Sequence, residues 1–260
     1  MKVLLFHYHL MFRMDNPVSR HHFTLRCIPK SDERQKILQL QRFIFPCDFL
    51  RESRDQWGND LLYGSYRRNH SRFEANISGQ AVTGLSVCTP AGPPEKERIF
   101  RFATPLTEPD ASLRAFSASL GIQSGAPQEM ETVMQAVHNA LSYEPGTTTV
   151  RTTAAQAFAL RHGVCQDYAH VMLAVLRAAG IPSRYAAGML QGEGESHAWV
   201  EVLHRGNWYA YDPTNCVTVS DQHIKLSHGR DSDDCAINRG VFFGAGGQQT
   251  EISVIVTENC

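Results

Sequence analysis

Three side chains whose types could carry out nucleophilic catalysis follow one another in the second half of the chain: Cys165, His197 and Asp212. A cysteine thiolate can attack a carbonyl carbon, and an imidazole can move protons between the thiol and a leaving group. A carboxylate can orient that imidazole and stabilise its charged form. Whether the three side chains meet depends on the elements that carry them.

The residues around Cys165 predict that it lies in the first turn of a helix. Apolar residues recur at three- and four-residue steps over 169–179, the period of a helix with one buried face, and Gly180 follows its end. We expect Gly163 to supply the backbone freedom for a sharp turn into this helix. Unpaired N–H groups and the helix dipole at this end favour a thiolate, whereas the alternative is an inert cysteine that starts a core helix.

His197 and Asp212 are predicted on the two strands of a hairpin. Two alternating β-rich runs carry them, and His204-Arg205-Gly206-Asn207 separates the runs. With a two-residue loop, at either Arg205-Gly206 or Gly206-Asn207, both side chains point to the same face of the sheet. A three-residue loop would place them on opposite faces. On the two-residue interpretation, Asp212 can orient the imidazole of His197.

Four motifs in this region come in a fixed order: Gly163-Val164-Cys165-Gln166-Asp167-Tyr168-Ala169-His170, Gly180-Ile181-Pro182-Ser183-Arg184-Tyr185, Ser196-His197-Ala198-Trp199-Val200-Glu201-Val202 and Tyr211-Asp212-Pro213-Thr214-Asn215. Together they resemble the bacterial transglutaminase-like family, often described as candidate cysteine proteases with a papain-like core. The resemblance implies that Cys165 is the nucleophile, His197 the base and Asp212 the third member. The weaker N-terminal half resembles the β-rich domain that precedes this core.

The pattern changes from strand to helix near residue 106. Before it, short alternating runs predict strands, among them 6–8 and 22–28, and favour an antiparallel sandwich. After it, three or four helical segments precede antiparallel strands, which is an α+β arrangement. We therefore predict an all-β, sandwich-like domain over 1–106 and a transglutaminase-like catalytic domain over 107–260. The family resemblance implies that the cysteine helix packs on the antiparallel sheet.

Three further residues are candidates for the cleft or for oxyanion binding: Gln156, Gln166 and Trp199. The Cys165 N–H at the helix start is the natural first oxyanion donor. A papain-type glutamine six residues before the cysteine is absent, because Ala159 stands there, and Gln156 lies three residues further away. Trp199 shares the His197 face, where it either shields the histidine–aspartate bond from water or is an ordinary core residue.

Composition excludes several classes of function. A net charge of -1 leaves no basic surplus for nucleic acid. No stretch is long enough to span a bilayer, and the first apolar run is interrupted at His7, His9 and Arg13, so we expect neither a membrane segment nor a signal peptide. Seven cysteines without CxxC pairs favour reduced thiols in the cytoplasm. The histidines show no matched ligand spacing, so we expect no metal and no cofactor.

The predicted function is thiol-dependent acyl transfer on peptide or carboxamide bonds through a thioester intermediate. The enzyme would be a cysteine peptidase or amidase, or a transglutaminase-like acyltransferase, and its partner a peptide or protein amide substrate. The same triad serves hydrolysis and transamidation, so the sequence leaves both open. Two alternatives remain: a catalytically silent papain-like module that binds peptides or protein partners, and a structural or partner-binding β-sandwich protein with an incidental second domain.

Overall fold

The computed structural model describes residues 1–259. Its strands are β1 (Lys2–Leu25), β2 (Gln35–Phe45), β3 (Phe49–Arg54), β4 (Asp60–Tyr66), β5 (His70–Thr83), β6 (Cys88–Pro90), β7 (Ser142–Tyr143), β8 (His162–Gly163), β9 (Ser183–Leu190), β10 (Gly192–Gly194), β11 (His197–His204), β12 (Asn207–Asp212), β13 (Val217–Thr218), β14 (His223–Gly229), β15 (Asn238–Phe243) and β16 (Gln248–Glu258). Its helices are α1 (Pro94–Glu97), α2 (Ala111–Ser119), α3 (Pro127–Ala140), α4 (Ala154–Leu160) and α5 (Cys165–Ala178), with a 3₁₀ helix at Arg98–Arg101. None of the helices in the described range has the length and apolar character needed to cross a membrane.

One strand, β1, organises the N-terminal half. The sequence pattern predicted separate strands at 6–8 and 22–28, but residues 6–8 and 22–25 belong to a single strand of 24 residues, and residues 26–28 lie beyond its end. Its register against β5 shifts between Arg13 and Val18, and such irregularities let a strand bend. The first part of β1 pairs with β5 and β16, and the last part pairs with β4 and β15. The irregular segment between Arg13 and Val18 thus lies within one continuous strand.

The last two strands of the chain return to the first. β16 pairs with β1 from Leu4↔Glu258 to Met14↔Gln248, and β15 pairs with the end of β1. Conversely, β6 of the N-terminal half pairs with β12, a strand of the sheet that carries Asp212. Strand pairing thus crosses the predicted boundary at residue 106 in both directions, and the division into two domains stays a prediction.

The second sheet and helix α5 form the core that bears the cysteine. The sheet has the order β13-β12-β11-β9-β14 and its neighbouring strands are antiparallel. Ala198, Val200 and Val202 of β11 pack against α5 in one buried cluster, to which α2, α3 and α4 also contribute. This arrangement confirms the predicted α+β fold, in which the cysteine helix lies on an antiparallel sheet.

The turn between β11 and β12 has two residues. The pairs run from Val200↔Tyr211 to His204↔Asn207, which leaves Arg205 and Gly206 as the loop. Both loop residues have positive φ, 46° and 75°, as a type I′ turn requires. The two-residue loop predicted from the sequence is confirmed, and with it the placement of His197 and Asp212 on the same face.

The face of the sheet away from α5 carries a small cluster of Trp199, Ala186, Ala210 and Val219. A side chain of the N-terminal half contacts this face of the sheet. The guanidinium of Arg34 donates to the Val219 carbonyl over 2.6 Å. The N-terminal segment therefore forms part of the support behind the strands that carry His197 and Asp212.

Candidate active site

Helix α5 begins at Cys165, as the sequence predicted. The carboxylate of Asp167 accepts a hydrogen bond from the Val164 N–H over 2.8 Å and another from the Thr148 hydroxyl over 2.7 Å. Burial raises the pKa of Asp167, and these hydrogen bonds oppose the shift. Asp167 thereby fixes the start of α5. The N–H groups of Cys165 and Gln166 lie in the first turn, where a helix offers no acceptor of its own.

Gly163 has a different role from the one expected. Its φ is not in the left-handed region; the residue with positive φ at this turn is Arg161, at 64°, which closes α4. A Cβ on Gly163 would lie 2.6 Å from Cβ and from Oδ2 of Asp167. The glycine is therefore needed for close approach to Asp167 rather than for backbone freedom.

Replacing Gly163 by alanine should push Asp167 away from the start of α5. We expect a loss of about 1–3 kcal/mol in the free energy of unfolding, the usual cost of forcing an extra methyl group into a packed site. Chemical denaturation measures it, with Gly194→Ala as the matched control because a Cβ there meets no atom within 4 Å. Equal stability of Gly163→Ala and the wild type would contradict this role for the glycine.

His197 and Asp212 form a buried pair. The His197 Nε2 lies 2.7 Å from Asp212 Oδ2, and neither side chain is more than 10% exposed. Burial lowers the pKa of His197, but hydrogen bonds and charge interactions with Asp212 and Cys165 outweigh it and raise the pKa to about 10. Because Nε2 is engaged by Asp212, Nδ1 is the ring nitrogen left for Cys165. The Asp212 carboxylate therefore favours the charged form of the imidazole, whose Nδ1 is on the side away from Asp212.

Cys165 and His197 meet at one end of the sheet rather than across it. Helix α5 packs on the face that carries Ala198, whereas alternation along β11 turns His197 to the opposite face. Each of the two residues is the first of its element, and the thiol of Cys165 lies 3.9 Å from the carbonyl oxygen of Ser196, next to His197. The structure thus brings the three predicted residues together at this end.

Asp212 receives hydrogen bonds on both carboxylate oxygens. The N–H groups of Thr214 and Asn215 donate to Oδ1 over 3.0 and 3.2 Å. The Asn215 amide reaches Oδ2 over 2.7 Å, and the His223 Nε2 lies 3.3 Å from the same oxygen. Burial raises the pKa of Asp212, but these donors and His197 hold it well below its usual range. Asp212 is therefore a fixed carboxylate.

Two of these contacts were missed by the sequence reasoning. Asn215 follows Asp212 by three residues, and this short spacing is typical of a turn closed by an aspartate side chain. His223 gave no comparable signal, because it reaches Asp212 from β14 through the order of the strands. Only the first of the two could have been found from local spacing.

The donor atoms of His197, Asp212 and His223 are the one group of three within reach of a common metal ion in residues 1–259. Two ligands on one tetrahedral zinc lie about 3.3 Å apart, given zinc–ligand bonds of about 2.0 Å. The 2.7 Å between His197 Nε2 and Asp212 Oδ2 is shorter and is a hydrogen-bond distance. The donor set therefore fits a shared proton better than a metal ion.

The remaining candidate residues differ in position. Gln156 is exposed and closes a capping box at the start of α4, where its Oε1 accepts from the Thr153 N–H over 2.9 Å, so its side chain serves that helix. Gln166 is the second residue of α5 and is half-buried. Trp199 is 1% exposed, and its ring centroid lies 6.3 Å from that of His197. Trp199 therefore packs beside the imidazole and is shielded from solvent.

Tyr143 and Glu195 lie on two segments next to Cys165: Tyr143 pairs with Gly163, and Glu195 precedes Ser196, whose carbonyl oxygen lies 3.9 Å from the thiol. Tyr143 is 58% exposed, and burial together with the charges of Cys165 and Glu195 raises its pKa. Glu195 is also exposed and lies in the segment before β11. Both side chains are therefore exposed near the thiol.

Comparison with known proteins agrees with the geometry of the site. A family model described as "Transglutaminase-like superfamily" matches residues 114–213, and one described as "Bacterial transglutaminase-like N-terminal region" matches residues 5–82. An uncharacterized protein of Mycobacterium leprae is 28% identical over 263 residues, with 94% of each chain covered. A protein-glutamine gamma-glutamyltransferase of Pseudomonas aeruginosa is 33% identical over 121 residues, which cover 39% of this chain and 18% of that one.

The fold itself has a solved counterpart. The crystal structure of a candidate cysteine protease from Cytophaga hutchinsonii is similar with a TM-score of 0.81 at 20% identity, covering 99% of this chain and 90% of that one. At this level of identity the likeness concerns the fold. It extends over both the N-terminal β region and the core that carries Cys165.

Proposed function

The chain belongs to the bacterial transglutaminase-like family, and we propose that it is a thiol-dependent acyl-transfer enzyme that acts on peptide or carboxamide bonds. Cys165 is the nucleophile, His197 the acid and base, and Asp212 the residue that orients His197. The observation that carries the proposal is the 2.7 Å contact between His197 and Asp212, together with the position of the Cys165 thiol 3.9 Å from the carbonyl oxygen of Ser196, the residue before His197. A buried imidazolium placed between a thiolate and a carboxylate is the arrangement that nucleophilic thiol catalysis needs.

In the first half of the reaction, the Cys165 thiolate attacks the carbonyl carbon and forms a C–S bond. The carbonyl oxygen becomes an oxyanion, for which the N–H groups of Cys165 and Gln166 at the start of α5 are the proposed donors. When the oxyanion collapses, the C–N bond breaks and His197 gives its Nδ1 proton to the departing nitrogen. The products are a thioester on Cys165 and ammonia or an amine.

In the second half, neutral His197 takes a proton from water or from an acceptor amine. The resulting nucleophile attacks the thioester carbonyl, and the C–S bond breaks. Cys165 leaves as a thiolate and His197 is again the imidazolium, so the starting state is restored. Asp212 keeps its charge throughout and holds Nε2–H of the ring.

Water and amine acceptors give different products from the same thioester. The Pseudomonas aeruginosa relative is named for glutamine γ-glutamyl transfer, in which a side-chain carboxamide is the acyl donor and an amine the acceptor. We therefore propose glutamine-like carboxamides as the first donors to test. The cytoplasm is the proposed location, because the described cysteines are all free thiols.

Two measurements test the proposal. Alkylation by iodoacetamide, followed for each cysteine by mass spectrometry, should be fastest at Cys165, with the other cysteines as internal controls. A glutamine-containing peptide should release ammonia, and a fluorescent primary amine in the same mixture would separate transfer from hydrolysis. An accessible Cys165 that reacts no faster than the other thiols, together with no ammonia release, would favour a catalytically silent peptide-binding module instead.

A further inference from the structure

A second histidine contacts the carboxylate that orients His197. His223, the first residue of β14, is 5% exposed, and its Nε2 lies 3.3 Å from Asp212 Oδ2. We propose that His223 is a positioning residue that acts through Asp212, by donating a hydrogen bond that fixes the oxygen on which His197 depends. The proposal rests on the proposed function of the Cys165 site.

The hydrogen bonds of His223 define which ring nitrogen carries the proton. The backbone N–H of Ser220 lies 3.4 Å from Nδ1 and can only donate, so Nδ1 is the acceptor. The proton of the neutral ring is then on Nε2, which faces Asp212. The same carboxylate oxygen accepts from His197 over 2.7 Å, so the two imidazoles hold Oδ2 between them.

The surroundings of His223 keep the ring neutral and in place. The titratable groups that face it are Asp212, His197 and Arg34; burial lowers its pKa, and the attraction of Asp212 opposes this shift. A neutral His223 donates one hydrogen bond without competing with His197 as a second cation. The only imidazolium on Asp212 is therefore the one that faces Cys165.

Packing holds the His223 ring beside Trp199. The two rings meet edge to face, with centroids 5.5 Å apart. Strand β9 lies between β11, which carries Trp199, and β14, which carries His223. The indole crosses β9 at Gly188, where a Cβ would be only 2.3 Å from the Trp199 ring. The glycine lets the indole cover β9 and reach His223. The ring position is thus set by the sheet and not by the hydrogen bond to Asp212 alone.

The N-terminal half fixes β14 two residues beyond His223. The Gln35 amide donates to the Lys225 carbonyl over 2.9 Å, and the Lys225 N–H donates to Gln35 Oε1 over 2.7 Å. This reciprocal pair copies the hydrogen bonding of a neighbouring strand, at the point where β14 shifts its register against β9. Gln35 is 3% exposed, so the pair is protected from water. The strand that delivers His223 is thereby anchored to the N-terminal half.

The test compares two substitutions of His223 by the rate of Cys165 alkylation near neutral pH, which requires no substrate. In His223→Leu the donor is lost, and we expect alkylation at Cys165 to slow by about tenfold, the usual effect of losing a hydrogen bond to a charged group. In His223→Gln the amide nitrogen can occupy the position of Nε2, and we expect a rate within about threefold of the wild type. His228→Leu is the matched control, because it removes another shielded imidazole from β14 that has no contact with Asp212.

A double-mutant cycle that combines His223→Leu with Asp212→Asn separates an effect of His223 on Asp212 from a general loss of stability. If His223 acts through Asp212, His223→Leu should slow alkylation by less than about twofold in the Asp212→Asn background. An equal tenfold loss in both backgrounds, or the same loss in His223→Gln and His228→Leu, would overturn the proposal. Wild-type rates in His223→Leu would overturn it as well. Failure of the proposed function is distinct from these results, because it would show as an unreactive Cys165 in the wild type.

Discussion

Cys165→Ala should lower the rate of amide cleavage or transfer by at least about a thousandfold, because removing the nucleophile of a triad leaves only binding and oxyanion stabilisation. The fold should persist. Cys165 is half-buried at the margin of the core, and the start of α5 is held by Asp167 rather than by the thiol. The measurement is ammonia release from the glutamine peptide, with circular dichroism and thermal unfolding on the same samples.

Cys216→Ala is the matched control for this substitution. Cys216 is also half-buried, and its thiol donates to Gln135 Oε1 over 3.1 Å, away from the imidazole. We expect this variant to keep wild-type turnover. Turnover that survives in Cys165→Ala, or that is lost equally in Cys216→Ala, would remove Cys165 from the role of nucleophile.

Asp212→Asn should lower the rate by about a thousandfold or more, as in other triads whose carboxylate is replaced by an amide. The fall has two causes. The charge that stabilises the imidazolium of His197 is lost, and the amide nitrogen can present a donor where His197 needs an acceptor. Asp212→Ala should in addition destabilise the fold by about 3–5 kcal/mol, because it leaves a buried charged partner uncompensated.

Loss of the Asp212 charge should also change the pH dependence of turnover, in a direction that follows from the pKa of His197. Burial lowers the pKa of His197, but the hydrogen bond to Asp212 and the charges of Asp212 and Cys165 raise it to about 10, so the active imidazolium persists up to that pH in the wild type. Removing the carboxylate charge lowers this pKa, and the alkaline limb of turnover, which needs the imidazolium as general acid, should move to lower pH. The same shift predicts that the stability contributed by His197 is complete below about pH 6.5 and is lost as the pH rises through about 10.

Asp234→Asn serves as the control for the charge change. Asp234 pairs with Arg230 over 2.9 Å, and its side chain is 13% exposed whereas that of Asp212 is fully buried. Its substitution should leave the pH profile in place. An Asp212→Asn variant whose alkaline limb does not move would contradict the assignment of Asp212 as the partner of His197.

Local pattern was enough to predict much of this site. The helical period after Cys165 placed the thiol at the start of α5, and the spacing of the hairpin placed His197 and Asp212 on one face. Both inferences rest on contacts between residues near each other in sequence, where side-chain period and turn chemistry restrict the backbone. The error at Gly163 was also local in origin: the glycine was expected to supply backbone freedom, whereas close packing against Asp167 is the reason for it.

The sequence by itself therefore determined the helix, the hairpin and the chemical types of the three residues. Only the tertiary structure decided that Cys165 and His197 meet at the end of the sheet, and that His223 reaches Asp212. It also decided that β16 pairs with β1, more than 230 residues away in the chain. Such pairings depend on the order of strands in a sheet, and no periodicity in the sequence encodes that order.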